Sequence, residues 1–143
     1  MRGGKNLAEA DLGPILNDVP RIVADVRAAN VLVQRADELG RILKDKGLRM
    51  SQARDIFDEL RQIESLWMRE PAVAIRRIHL LRPRLAYRTK RTPALEPLAD
   101  VLNVAILEVL APTSDEEKHD RFARLMEFAE AIVAYHKYYG GGD

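Results

Sequence analysis

The 143-residue sequence predicts an all-α fold, a compact bundle of about five helices. Three observations predict it. Apolar residues recur at spacings of three and four nearly everywhere, no segment alternates for long as a strand would, and prolines, glycines and capping residues cut the chain into helix-length pieces. A hydrophobic content of 47% supplies a core, and a charged content of 31% supplies a well-solvated surface. The length suits a single domain, expected over residues 18–140, with a flexible or weakly ordered lead-in at 1–17 and a tail at 141–143.

Glycines and Pro14 make the lead-in irregular. Asp18 then reads as an N-cap with Pro20 in the first turn, followed by an apolar stripe of Ile22, Val26, Ala29, Val33, Ala36, Leu39 and Leu43. Asp45-Lys46-Gly47 reads as the end of that helix. Ser51 is the expected cap of a second helix bearing Ala53, Ile56, Phe57, Leu60, Ile63 and Trp67. Pro71 suits the first turn of a third, with Val73, Ile75, Ile78, Leu81 and Leu85 facing inward; Pro83 is expected to kink or end it, leaving Arg82-Pro83-Arg84 as a charged bend. Thr92-Pro93 opens a fourth helix lined by Leu95, Leu98, Leu102, Ala105, Ile106 and Val109, and Pro112 stops it. Ser114-Asp115-Glu116-Glu117 is a complete capping box for the last helix, whose stripe runs Phe122, Leu125, Ala129, Ile132, His136 and Tyr139 to the glycines at 140–142.

Function classes are narrowed mainly by what is missing. The sequence has no cysteine, hence no disulfide, zinc-thiolate site or thiol nucleophile. No apolar run approaches the roughly 18 residues of a spanning helix, and Met1–Lys5 has no signal-peptide core, so a cytoplasmic protein without a membrane partner is expected. Nucleotide-loop, nucleophile-elbow and metalloprotease motifs are absent. Glu116 and His119 match half of a di-iron motif whose other half is lacking. His136 on an apolar stripe reads as a hydrogen-bonded core histidine, and Trp67 as core. The expectation is therefore a protein that is no enzyme, with no catalytic residue, metal site or cofactor.

The net charge of +1 hides a strong segregation. Residues 69–91 carry eight basic side chains against Glu70 alone, whereas residues 92–117 carry six acidic ones and no Lys or Arg. A smaller basic block holds Arg41, Lys44, Lys46 and Arg49. Cations crowded on one helix repel one another, and a phosphate backbone relieves that repulsion with release of counterions. Arginine dominates the segment, which suits bidentate phosphate contact and stacking on bases. The candidate contacts are Arg82, Arg84, Arg88 and Arg91, then Arg54, Arg49, Lys46 and Lys90, with Tyr87 either a ring that stacks on a base or one that points inward. The alternatives are a helical protein-interaction module whose arginines bind an acidic partner, and a helix-turn-helix DNA reader at 47–67, weakened by the acids of its would-be recognition helix.

Three stretches, Gly47–Leu60 with its S-Q-x-R, Leu81–Arg91 with its L-x-P-x-L-A-Y, and Glu127–Gly141, resemble in order and spacing the small subunit of type III-A CRISPR–Cas effector complexes, the Csm complex. The resemblance covers roughly residues 30–142. It implies a non-catalytic helical subunit, present in several copies, beside backbone subunits that hold a guide RNA and near a large subunit. It also implies that such copies line the groove where target RNA pairs with the guide, contacting it through backbone charge in antiviral defence. By the same resemblance Gln52 and Arg54 fall on the first motif, Arg82 to Tyr87 on the second, and His136, Lys137 and Tyr139 on the third. Where small residues often follow that tyrosine, this chain has Arg88-Thr89-Lys90.

Overall fold

The computed structural model describes the backbone of residues 3–142 and the side chains of residues 12–142. Met1, Arg2 and Asp143, at the outer ends of the expected lead-in and tail, lie outside the described residues. Among the described residues six helices make the fold, one more than expected: α1 Gly3–Ala24, α2 Ala29–Asp45, α3 Met50–Trp67, α4 Pro71–Arg91, α5 Glu96–Leu110 and α6 Asp115–Tyr138, with a short 3-10 turn at Pro93–Leu95. No strand occurs among the described residues.

The extra helix comes from the front of the chain. α1 runs through both Pro14 and Pro20, so residues 12–17 are helical where an irregular lead-in is expected. Ile15, Val19, Ile22 and Val23 are fully buried and provide the compensation for two missing N–H donors. The helix expected from 18 to 45 is broken at Asp25. Its carboxylate accepts the backbone N–H of Arg27 at 2.9 Å and its carbonyl accepts from Ala28 at 3.0 Å, which closes a tight turn. The turn resets the register. Val26 and Val33 are exposed and Leu32 is buried in their stead, while Ala36, Leu39 and Leu43 are buried as expected.

α6 packs on α2, α3, α1 and α5, while α4 lies at the edge against α3 and α5. Gly40 permits a close approach of α2 to α6: a Cβ there would sit 2.6 Å from Cβ of Tyr135. Two arginines of α6 close the ends of other helices. Arg124 Nε donates to the Val23 carbonyl at 2.6 Å, and Arg121 donates to the Glu108 carbonyl at 2.9 Å, meeting the negative C-terminal ends of α1 and α5. Arg35 joins α1 to α2 through Asp18 at 2.8 Å, and this hydrogen bond holds the Asp18 carboxyl below the usual carboxylate range.

Ser114 caps α6 as expected, its Oγ accepting from the Glu117 N–H at 3.0 Å. Ser51 does not cap α3. The helix begins at Met50, and Gln52 Oε1 reaches back to accept the Arg49 N–H at 3.0 Å. Pro83 does not end α4 either. It lies on the exposed side, so the His79 carbonyl that loses its donor faces water. Thr92 precedes the 3-10 turn rather than capping α5, which starts at Glu96.

The tail is docked. Gly140 turns at φ +98°, Gly141 donates to the His136 carbonyl at 2.9 Å, and the Gly142 carbonyl accepts the Met50 N–H at 2.9 Å. His136 is buried, with Nε2 2.7 Å from the Leu48 carbonyl, and Gly141 sits on its ring so closely that a Cβ would fall 2.2 Å from Cε1. Trp67 is stacked between His119 and Phe122, each at 5.2 Å.

Candidate nucleic-acid interface

The basic segment is α4, and its edge position decides what it displays. Ala74, Ile78, Leu81 and Leu85 bury one stripe; most of the remaining circumference is open to solvent. Residues two apart on a helix point about 160° away from each other. Arg82 and Arg84 therefore flank the buried stripe on opposite sides, and the four leading arginines do not share one charged elbow. The continuous helix through Pro83 is the reason. Lys90 likewise turns away from Arg88.

What the fold does gather is a groove between the start of α3 and the end of α4, which run antiparallel. Gln52, Asp55 and Ile56 form one wall; Tyr87, Arg88, Arg91, Thr92 and Leu95 form the other, around a cavity of about 360 Å³. A shallower hollow adjoins it, lined by Glu59, Leu80, Pro83, Arg84, Tyr87 and Arg88. Tyr87 stands between the two with 64% of its surface exposed. The Arg91 guanidinium lies 5.9 Å from its ring centre, at the outer range of a cation–π contact.

Four of the sequence-predicted residues (Gln52, Tyr87, Arg88 and Arg91) thus meet in one place. Arg84 joins them through the neighbouring hollow. Arg54, two residues from Gln52, points away from the groove. Arg49 and Lys46 are exposed in the turn that leads into α3, at the same end of that helix. His136 and Tyr139 belong to the core and its margin. Tyr139 donates to Asp37 and accepts from Arg41 at 3.2 Å.

Sequence reasoning missed the acids of this site. Glu59 is half-buried on α3 and pairs with both Arg84, at 2.5 Å, and Arg88, at 3.4 Å. One carboxylate partly offsets two guanidiniums; Arg91 has no ion-pair partner among the described residues. The missed signal is spacing: Gln52, Asp55 and Glu59 recur at three and four, a single flank of α3. The acids of residues 92–117 are also partly engaged, since Glu108 and Glu117 pair with Arg121, and Glu117 with Arg124. Among the described residues no three His, Asp or Glu side chains are placed to hold a metal ion, and no helix is long and apolar enough to cross a membrane.

Fold and groove together define an all-helical domain that offers a cationic, aromatic-edged surface. The family model described as Csm2 Type III-A matches residues 27–142, and the chain belongs to that family. It is similar to the protein described as CRISPR system Cms protein Csm2 of Streptococcus thermophilus, 39% identical over 66 residues, which cover 46% of this chain and 50% of the relative. The chain spans about half the length of that curated relative. No solved structure matches.

Proposed function

We propose that the chain is a non-catalytic small subunit of a type III-A CRISPR RNA-guided effector complex, lining its guide–target groove and holding target RNA through phosphate contacts. Membership of the Csm2 family supports the subunit role. The observation that carries the RNA reading is the meeting of Tyr87, Arg88 and Arg91 in one groove on an edge helix. A ring for stacking beside guanidiniums for phosphate is the combination that binds single strands without reading sequence. Its partners in this reading are guide and target RNA, the backbone and large subunits, and further copies of itself. Each copy holds only a short piece of the strand, so strong binding arises from repetition along the assembly, and an isolated chain binds weakly.

Binding of single-stranded RNA measured at several salt concentrations tests this. The double substitution Arg88→Glu with Arg91→Glu is expected to weaken binding and to reduce the slope of log K against log salt by roughly 0.7 for each phosphate no longer neutralised. The matched pair Arg82→Glu with Lys90→Glu, on the other flank, is expected to do less. Equal slopes for wild type and the Arg88/Arg91 variant reject the assignment. In that case the acidic-partner reading, with self-association or partner binding indifferent to RNA, takes its place.

A further inference from the structure

The groove lies at the end of the bundle where α2, α4 and α6 finish and α3 begins, and that end carries a second basic and aromatic cluster. Tyr138 is the most exposed tyrosine among the described residues, with 76% of its surface in water. Its ring meets Tyr139 edge to face at 5.0 Å, and Tyr139 stacks on Tyr135 at 6.4 Å. The Arg41 guanidinium lies 5.0 Å from the Tyr139 ring centre and donates to its hydroxyl at 3.2 Å. Lys44 reaches the same place: a Cβ added to Gly140 would meet its Cε at 3.8 Å. Both cations are exposed. Two acids face them. Asp37 is taken up by the Tyr139 hydroxyl, and Asp45 stands 4.0 Å from the Lys44 ammonium.

The glycine tail joins this cluster to the groove. Gly140 lies beside Lys44, the Gly142 carbonyl accepts the N–H of Met50, and Gln52 of the groove wall stands two residues further along α3. A Cβ on Gly142 would meet nothing within 4 Å, so the tail offers bare backbone over which a sugar–phosphate chain can pass closely. Cations in a last helical turn offset the negative end of the helix. That account leaves an aromatic ring three-quarters in water beside them unexplained. The groove has the same pairing in Tyr87 with Arg88 and Arg91, so one end of the bundle presents it twice.

We propose that Arg41, Lys44 and Tyr138 form a second, sequence-independent strand-binding surface, and that one RNA strand runs from the groove across the start of α3 and the glycine tail onto it. This rests on the phosphate reading above and extends the path of the strand. Phosphates meet the two cations, and an unpaired base of any kind stacks on the open ring.

The test titrates the full chain with sixteen-nucleotide oligouridylate at several salt concentrations. Arg41→Gln with Lys44→Gln is expected to lower the slope of log K against log salt by roughly 0.7 for each of two phosphates. Tyr138→Ala changes no charge and is expected to weaken binding about fivefold or more. Arg69→Gln with Arg76→Gln removes the same charge from exposed positions around the start of α4 and is expected to change affinity less than twofold. With RNA in excess, one strand is expected per chain. An unchanged slope in the Arg41/Lys44 variant, or unchanged affinity in Tyr138→Ala, overturns the second surface while loss in the Arg88/Arg91 variant keeps the groove reading. An equal loss in the Arg69/Arg76 variant overturns it as well, and two strands per chain overturn the continuous path. Unaltered binding by the Arg88/Arg91 variant rejects the groove and the path together.

Discussion

Glu59 shows how one side chain sets the charge that a helix can offer. It is one-sixth exposed on its side chain and is met by two guanidiniums, of which Arg84 is more than half exposed. An exposed ion pair is worth at most about 1 kcal/mol, so a phosphate can draw Arg84 and Arg88 away. The resistance comes from Glu59 itself, which would be left without a counter-charge in a partly dry position. Glu59→Gln removes that resistance while keeping the shape. It is expected to tighten single-stranded RNA binding severalfold, with little change in thermal stability. Unchanged or weaker binding would show that the two arginines serve only to hold α3 and α4 together. At this scale the sequence is a partial guide. Its candidates Tyr87, Arg88 and Arg91 lie together along one groove, and its expectation of His136 and Trp67 in the core is met. It does not reveal that Glu59 shares the arginines, because that pairing joins residues 25 and 29 positions apart and depends on how two helices face each other.

At the level of elements, the apolar period specified α3, α5 and α6 well. Every residue of the stripes expected for the last two helices is buried except Tyr139, which is half-buried beyond the end of α6, although Leu95 is buried from the 3-10 turn ahead of α5. The failures all arise where local chemistry and tertiary packing disagree. Pro14 and Pro83 read as breakers and Pro20 as a first-turn residue, yet the helices continue through all three, because burial on one side outweighs a missing hydrogen bond on the other. The apolar stripe expected from Ile22 to Leu43 allows no break, yet Asp25 closes a turn within it. α4 offers a direct measurement of this balance. Pro83→Ala restores an N–H to the His79 carbonyl on an exposed face and is expected to stabilise the protein by about 1–3 kcal/mol in denaturant unfolding. A neutral or destabilising result would mean that the proline supplies packing or curvature which the helix needs.

For the whole molecule, segregated charge along the chain becomes a division of labour. The basic stretch is spread around an edge helix, part of it facing the groove, whereas two of the six acids of residues 92–117, Glu108 and Glu117, are engaged internally by Arg121 and Arg124, which also tie α6 to α5 and α1 through backbone carbonyls. Closure of the bundle rests on its last residues. Gly141 fits over the His136 ring, and the next carbonyl satisfies the first N–H of α3. Gly141→Ala is expected to cost about 1–3 kcal/mol, because either ring or tail must shift. That corresponds to a melting temperature lower by several degrees. Gly142→Ala, where an added Cβ would meet nothing within 4 Å, is the matched control and is expected to be nearly silent. Equal melting temperatures for the two variants would show that the tail contributes nothing.

The chain has one tryptophan, and its position makes it a selective optical reporter. Trp67 lies fifteen residues along α3 from Gln52, about 22 Å at the helical rise, sealed between an imidazole and a phenyl ring. Its emission follows the seam of α3 with α6 and is blind to whatever occupies the far end of α3. Melting and oligonucleotide titration can therefore be recorded in one cuvette without cross-talk: the indole signals loss of the fold, and a dye on the RNA signals occupancy.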